Sequence, residues 1–182
     1  ADELYDLVRL DPSYRVVWPG GDAWDIPAGI PALKALFESV ETGAAHQLER
    51  FLNDARTIYE AAMGDYLFRP SLKFGEFVDV RLVKEVTRLR MLQSMAKHAR
   101  RFFRDPRLAR LVEWPVLFLG ASAKDTSAMY SLMSYADMAL GTWYPMGGMH
   151  RIIDAMVRVG DDLGVETKLS TPVESIQVKR GR

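Results

Sequence analysis

The stretch GTWYPMGGM, residues 141–149, decides how this chain is read. Its first half is aromatic and β-rich. A proline and a glycine pair follow. Directly beyond, Met149, Ile152, Ile153, Met156, Val157 and Leu163 recur at helical spacing, and Gly164 closes the pattern. A strand therefore passes straight into a helix, with two bulky rings set beside bare backbone.

Upstream, Ser127 to Met138 reads as a short helix, and a helical stretch opens at Pro106 and reaches about Leu119, with Pro115 set to kink or end it. Leu82, Val86, Leu89, Leu92, Met95, Ala99 and Phe103 mark a further helix, broken by RDP at 104–106. Leu48, Phe51, Leu52, Ala55, Ile58, Tyr59, Ala62 and Met63 form another stripe, with Thr42 as its expected N-cap and Gly64 as its expected end. Pro31 suits the first turn of a helix through Glu38. The first thirty residues read as a meander: LYDLVRL and YRVVW are separated by the turn cluster DPS, and a third short strand follows PGGD. These strands are expected to share one sheet with the strand around Thr142–Tyr144. Downstream, VETKLS and VESIQV read as two short strands, and KRGR as a hairpin tip. The fold class is α+β: mostly helical, with a small mixed or antiparallel sheet.

Composition narrows the chemistry. The 182 residues contain no cysteine, which excludes disulfides, thiolate catalysis and cysteine-based zinc sites. The start, ADELYDLVRL, has neither the basic nor the apolar region of a signal peptide, and the longest apolar run, 114–119, is too short to span a bilayer. A cytoplasmic location, peripheral at the inner face of the membrane, is the expectation. His46, His98 and His150 fall on separate helices without a partner at metal-ligand spacing, so no metal site is expected. No G-x-S-x-G and no G-x-G-x-x-G is present, and no catalytic residue is assigned.

The net charge of zero hides an asymmetry. Between Arg81 and Arg110, ten Lys or Arg stand against Glu85 and Asp105, so a +8 arm sits on a −8 remainder. A solvated helix face and a membrane-surface patch both fit this arm. A nucleic-acid surface lacks the expected motif, and no nucleic-acid partner is expected. For membrane docking the candidates are Lys97, Arg100, Arg101, Arg104 and Arg107, with Phe102 as the apolar contact, because helical spacing turns Phe103 inward. The methionines of the last third (129, 133, 138, 146, 149 and 156) suit either ordinary core packing or the adaptable wall of an apolar pocket.

The segment FLGASAKDTSAMYSLMSYADMALGTWYPMGGMHRIIDAMVRVGDDLGVET, with LDPSYRVVWPGGDAWDIPA, FLNDARTIYE and FFRDPRLARLVEWP before it, resembles the bacterial phytoene desaturase family. The likeness covers nearly the whole chain. Its most specific part is the aromatic-Tyr-Pro-x-Gly-Gly-Met block after a Y-x-L-x-x-Y helix. The resemblance implies a FAD-dependent enzyme that dehydrogenates long apolar polyenes by hydride transfer to flavin and works at a membrane surface. It also implies that Trp143, Tyr144, Pro145, Met146, Gly147 and Gly148 lie where substrate channel and flavin meet. There the glycines would let backbone approach a flat ring, because no Cβ intervenes. A helix start needing glycine for tight packing on a strand is the other explanation.

The family's N-terminal βαβ unit, with its glycine-rich fingerprint, and its C-terminal flavin-binding segment are not found within residues 1–182. The expectation is a substrate-binding region of a larger FAD-dependent enzyme. Its partners would be a long apolar polyene and the remainder of that enzyme. FAD would belong to the full-length protein, with none expected on this fragment. A non-catalytic lipid- or membrane-binding helical module stays open as the alternative.

Overall fold

A computed structural model of the chain describes residues 4–66 and 92–178. Two compact units are present: Arg9–Thr142, and Ala1–Val8 with Trp143–Arg182.

The first unit is mostly helical. It opens with a hairpin of β2 (Tyr14–Val17) and β3 (Ala23–Ile26), following β1 (Leu7–Arg9). The hairpin is antiparallel, with Tyr14 opposite Ile26 and Val17 opposite Ala23. Its PGGD turn is tied by Trp18 N–H to Asp22 C=O at 2.7 Å. Helices α1 (Ile30–Val40) and α2 (Ala44–Ala61) follow, and α2 runs into a π-helical turn at Ala62–Tyr66. Pro31 occupies the first turn of α1, as its missing N–H allows. Thr42 does not cap α2. The N-cap is Gly43, and the Glu38 carboxylate of α1 accepts from Gly43 N–H (2.8 Å) and Ala45 N–H (3.0 Å). Those two backbone donors hold the Glu38 carboxyl below its ordinary pKa. A three-residue linker, 41–43, lets a side chain of the preceding helix reach the free N–H groups first.

Beyond the undescribed segment come α3 (Met95–Ala99) and α4 (Pro106–Glu113). Of the long helix expected to reach Phe103, the part over 67–91 lies outside the described residues. Ser94 caps α3 and Asp105 caps α4. Pro115 ends the α-helical geometry, and Trp114–Leu119 continues as a 3₁₀ helix. A 3₁₀ turn at Ala128–Tyr130 leads into α5 (Ser131–Tyr135), which widens into a π-helical turn at Ala136–Leu140. The core gathers Leu33 and Phe37 of α1, Leu48 and Phe51 of α2, and Leu108 and Leu111 of α4. Phe37 meets Phe103 edge-on at 5.3 Å, and fully buried His98 lies between Phe51 and Phe102. The stripe Leu48, Phe51, Leu52, Ala55 and Ile58 read from the sequence is the buried face of α2, whereas Met149, Ile153, Met156, Val157 and Leu163 of the last stripe are exposed.

In the second unit, β4 (Trp143–Pro145) pairs with β1, and Met146 N–H donates to Asp6 C=O at 2.8 Å. The expected single sheet is thus two separate two-stranded sheets. The β2–β3 hairpin satisfies its own ladder, and Pro12 in the turn before it lacks an N–H with which to extend the ladder of β1. Helix α6 (His150–Asp162) follows β4. It ends at Gly164 (φ 77°), where Val165 N–H reaches Gly160 C=O and Gly164 N–H reaches Asp161 C=O. That pair of bonds is the Schellman cap expected of a terminal glycine. The strands expected in VETKLS and VESIQV do not form. Residues 165–178 are exposed and without a ladder among the described residues, and a strand exists only with a partner. The KRGR tip falls at 179–182, outside the described residues.

One partly buried carboxylate fastens α1 to the α3–α4 connection. Glu41 accepts from Asp105 N–H (2.7 Å), Arg104 N–H (3.0 Å) and Arg104 Nε (3.2 Å). Burial opposes its ionisation, but these donors outweigh it and the pKa falls below the ordinary value. The stability it contributes is therefore complete above the ordinary glutamate range and is lost as pH falls through the lowered value. Glu41→Gln is expected to cost about 1–3 kcal/mol at neutral pH. Urea unfolding at pH about 7 and about 3 should show the gap from wild type closing in acid.

Candidate functional site

The Trp143–Gly148 segment is a strand-to-helix junction whose backbone requires glycine. Gly147 and Gly148 have φ of 89° and 99°, a region side chains rarely enter. Gly148 N–H donates to Pro145 C=O (3.1 Å), and Arg151 N–H to Gly148 C=O (3.0 Å), so the pair turns the strand into the first turn of α6. Space decides the rest. A Cβ on Gly148 would meet nothing nearer than the Tyr144 hydroxyl at 3.8 Å, whereas one on Gly147 would stand 2.9 Å from Arg151 Nε. The turn, rather than packing on the strand, demands the glycines, and it leaves open backbone beside Tyr144.

The other junction residues divide by position. Pro145 is buried, while Trp143, Tyr144 and Met146 are exposed. Trp143 borders a cleft of about 550 Å³ with Tyr5, Asp6 and Leu7. Tyr5 also borders a second cleft, of about 420 Å³, lined by Leu4, Ile152, Ala155, Met156 and Val159. Tyr5 is thus shared by the two clefts. The methionines divide: Met138 is in the core, Met129 packs on Ile58 and Ala61, Met156 and Met133 line clefts, and Met146 and Met149 are exposed.

The helical unit carries a constellation that the sequence did not disclose. A cleft of about 470 Å³ is walled by Trp114, Pro115, Phe118, Leu132, Met133 and Ala136, with Ser13, Tyr14, Asp137, Gly141 and Thr142 completing it. The Tyr14 hydroxyl donates to Asp137 Oδ2 at 2.9 Å, and the Thr142 hydroxyl to Oδ1 at 3.2 Å. Trp114 Nε1–H donates to the Tyr14 oxygen at 2.8 Å. Burial pushes the Asp137 carboxyl above its ordinary pKa, against the donors Tyr14, Thr142 and Trp114. Burial, then the Asp137 charge, pushes the Tyr14 phenol up as well. These residues are far apart in sequence, and no spacing rule links them. The only local signal was an aspartate among apolar neighbours in SYADMAL.

The basic residues behave unequally. Lys97, Arg100, Arg101 and Arg104 are exposed. Arg104 is engaged with Glu41 at 3.2 Å, and Arg107 with Asp105 (3.0 Å), Asp22 (3.6 Å) and the Trp24 ring. Phe102 is half-buried and packs edge-on against Phe51 and His98. Its inward neighbour Phe103 is fully buried. Among the described residues, no group of His, Asp and Glu is placed to hold a metal ion, and no helix is long and apolar enough to cross a membrane.

With this geometry in view, residues 5–182 match the flavin containing amine oxidoreductase family, and the chain belongs to it. Among individual proteins, it is 31% identical to a carotenoid 3,4-desaturase of Haloarcula japonica, over 98% of this chain and 36% of that protein. It is 30% identical to a phytoene desaturase of Neurospora crassa, over 99% and 31% respectively. It is 28% identical to the neurosporene-forming phytoene desaturase of Rhodobacter capsulatus, over 98% and 34%. The chain spans about a third of the length of these curated relatives.

The raised Asp137 pKa has a sign that can be measured. The folded state holds this proton more tightly than the unfolded chain, so stability falls as pH rises from the ordinary aspartate value through the raised one. The stability of Asp137→Asn relative to wild type should therefore move in the variant's favour between pH about 3 and about 7. A shift in the opposite direction would show that the hydrogen bonds, rather than burial, govern this carboxylate.

Proposed function

We propose that this chain is the substrate-binding part of a FAD-dependent carotenoid desaturase, and that its ligand is a long apolar polyene. The observation that carries the reading is the open backbone at Gly148, bordered by Tyr144, with the Arg151 side chain over Gly147 and apolar clefts beside Tyr5, in a chain of the flavin family similar to carotenoid desaturases. The residues present fit one edge of a flavin. Bare backbone can meet a flat ring, but no glycine-rich phosphate cradle is found within this sequence. Bound FAD would accept hydride equivalents from the polyene. The chain's own part is to hold and orient the hydrocarbon and to keep water away. Trp143, Tyr144 and Met146 offer the apolar contact, and Met156 adjusts the wall of the second cleft.

A polyene has negligible solubility in water, so the protein would load it at the inner face of the cytoplasmic membrane. Support comes from the exposed cations Lys97, Arg100 and Arg101. Each contributes about 1 kcal/mol near an anionic leaflet, and the attraction fades as salt rises. The engagement of Arg104 and Arg107 with acids reduces their share, and half-buried Phe102 supplies only its exposed edge.

Two measurements test this. A coloured polyene presented in liposomes should quench the protein's tryptophan fluorescence, and the Trp143→Ala/Tyr144→Ala double variant should bind it roughly tenfold more weakly, the scale of a lost aromatic contact. Absence of any quenching would sink the polyene ligand, and equal affinity in the double variant would sink the junction as its contact. Separately, Arg100→Ser/Arg101→Ser should lower co-sedimentation with anionic vesicles at low salt, with the defect shrinking at high salt. Unchanged co-sedimentation would make these cations a solvated face.

A further inference from the structure

The Asp137 cleft is not needed for polyene contact at the glycine junction, yet it has the composition of a binding site. Its polar groups form a chain with a direction. The Trp114 indole N–H donates to Tyr14, and the Tyr14 and Thr142 hydroxyls donate to the two oxygens of Asp137. Each of these protons points toward the carboxylate, which ends the chain as a pure acceptor. Two carboxylate oxygens offer about four lone-pair positions. Tyr14 and Thr142 take two, and the indole, which also lies toward Asp137, takes at most one more. Acceptor capacity is left over on a residue that lines the cleft, whose apolar wall includes Trp114, Phe118, Leu132 and Met133.

The backbone here departs from regular geometry as well. Asp137 sits on the π-helical turn Ala136–Leu140, and π-turns inside helices occur disproportionately at functional sites. A widened turn carries an extra residue, which rotates Asp137 out of the register that α5 would otherwise give it.

We propose that this cleft binds the hydroxyl-bearing end of an apolar chain, with Asp137 accepting the alcohol O–H and Trp114, Phe118 and Met133 enclosing the adjoining hydrocarbon. The directed donors select against the alternatives. A ketone or an ether brings only acceptors to an acceptor. An ammonium head would shed its hydration in an apolar cleft for one carboxylate that already holds two donors, an exchange that compensates desolvation poorly. A plain hydrocarbon fills the walls but leaves the capacity of Asp137 unused. This site stands on the helical unit alone and does not depend on the desaturase assignment.

The experiment follows methionine methyl signals by NMR in the protein labelled with [methyl-13C]methionine, with Met133 assigned through Met133→Leu. Decanol, decane, decyl methyl ether and decylamine are titrated in turn. Decanol should shift the Met133 methyl and bind roughly tenfold more tightly than decane or the ether, the scale of one hydrogen bond to a charged group. Asp137→Asn should bring the decanol-to-decane ratio down toward one. Phe118→Ala, at a side chain 72% exposed that meets the Trp114 ring edge-on, should weaken decanol and decane alike, with an unchanged Met138 methyl signal showing that the core is intact. Equal binding of decanol and decane, an ether as tight as the alcohol, an amine tighter than the alcohol, or an alcohol preference that survives Asp137→Asn would each overturn the proposal. The Met156 methyl reports the separate cleft on α6, so failure there and failure here are told apart.

Discussion

The hydrogen bonds that converge on Asp137 are the constraint around which the helical unit is arranged. Tyr14 comes from the first strand of the hairpin, Trp114 from the 3₁₀ segment after α4, and Thr142 from the residues just before β4. Sequence separations of 123 and 100 residues are closed by single bonds of 2.9 and 2.8 Å. A partly buried carboxylate that lost these donors would face apolar walls uncompensated, so the hairpin, the 3₁₀ segment and the π-turn must hold their positions together. Tyr14 and Trp114 reinforce the bond with an edge-on ring contact at 5.0 Å.

Glu41 and Glu38 solve smaller versions of the same problem. Each is an acid near the C-terminal end of α1 whose oxygens accept backbone N–H groups of the next segments: Gly43 and Ala45 for Glu38, Arg104 and Asp105 for Glu41. A helix of eleven residues thereby positions the start of α2 and the start of α4. Arg104 and Arg107, which look like free cations in a basic run, spend part of their charge on these and neighbouring acids.

Both halves of the strand-to-helix junction are explained by backbone geometry. Gly147 and Gly148 turn the chain, and the absence of Cβ at Gly148 leaves accessible backbone next to Tyr144. One conformational requirement yields both a helix start and open space beside Gly148. Trp143 and Tyr144 precede the glycines because β4 presents them outward before the turn, while Pro145 points into the unit.

Much was legible in the residues alone. Helical stripes such as Leu48, Phe51, Leu52, Ala55 and Ile58 announce a buried face, since burial of apolar area at a period of 3.6 is a local property. Pro31, Pro106, Pro115 and Gly164 mark ends and bends because each restricts or frees backbone at its own position. The resemblance carried by GTWYPMGGM and its neighbours gave the family, which residues 5–182 match. Strand pairing was not legible: nothing local says that β1 meets β4 while β2 and β3 pair with each other, and the extended-looking VETKLS and VESIQV form no strand among the described residues. The cap of α2 was missed because its acceptor lies on another helix, and the Asp137 cleft because Tyr14, Trp114 and Thr142 reach it only through tertiary packing. What the sequence by itself determined is periodicity, turns and family, each set by short-range sterics and hydrophobicity. What only the tertiary structure decided is which distant donors meet which acceptor, because a buried hydrogen bond depends on where the rest of the chain has already placed its partner.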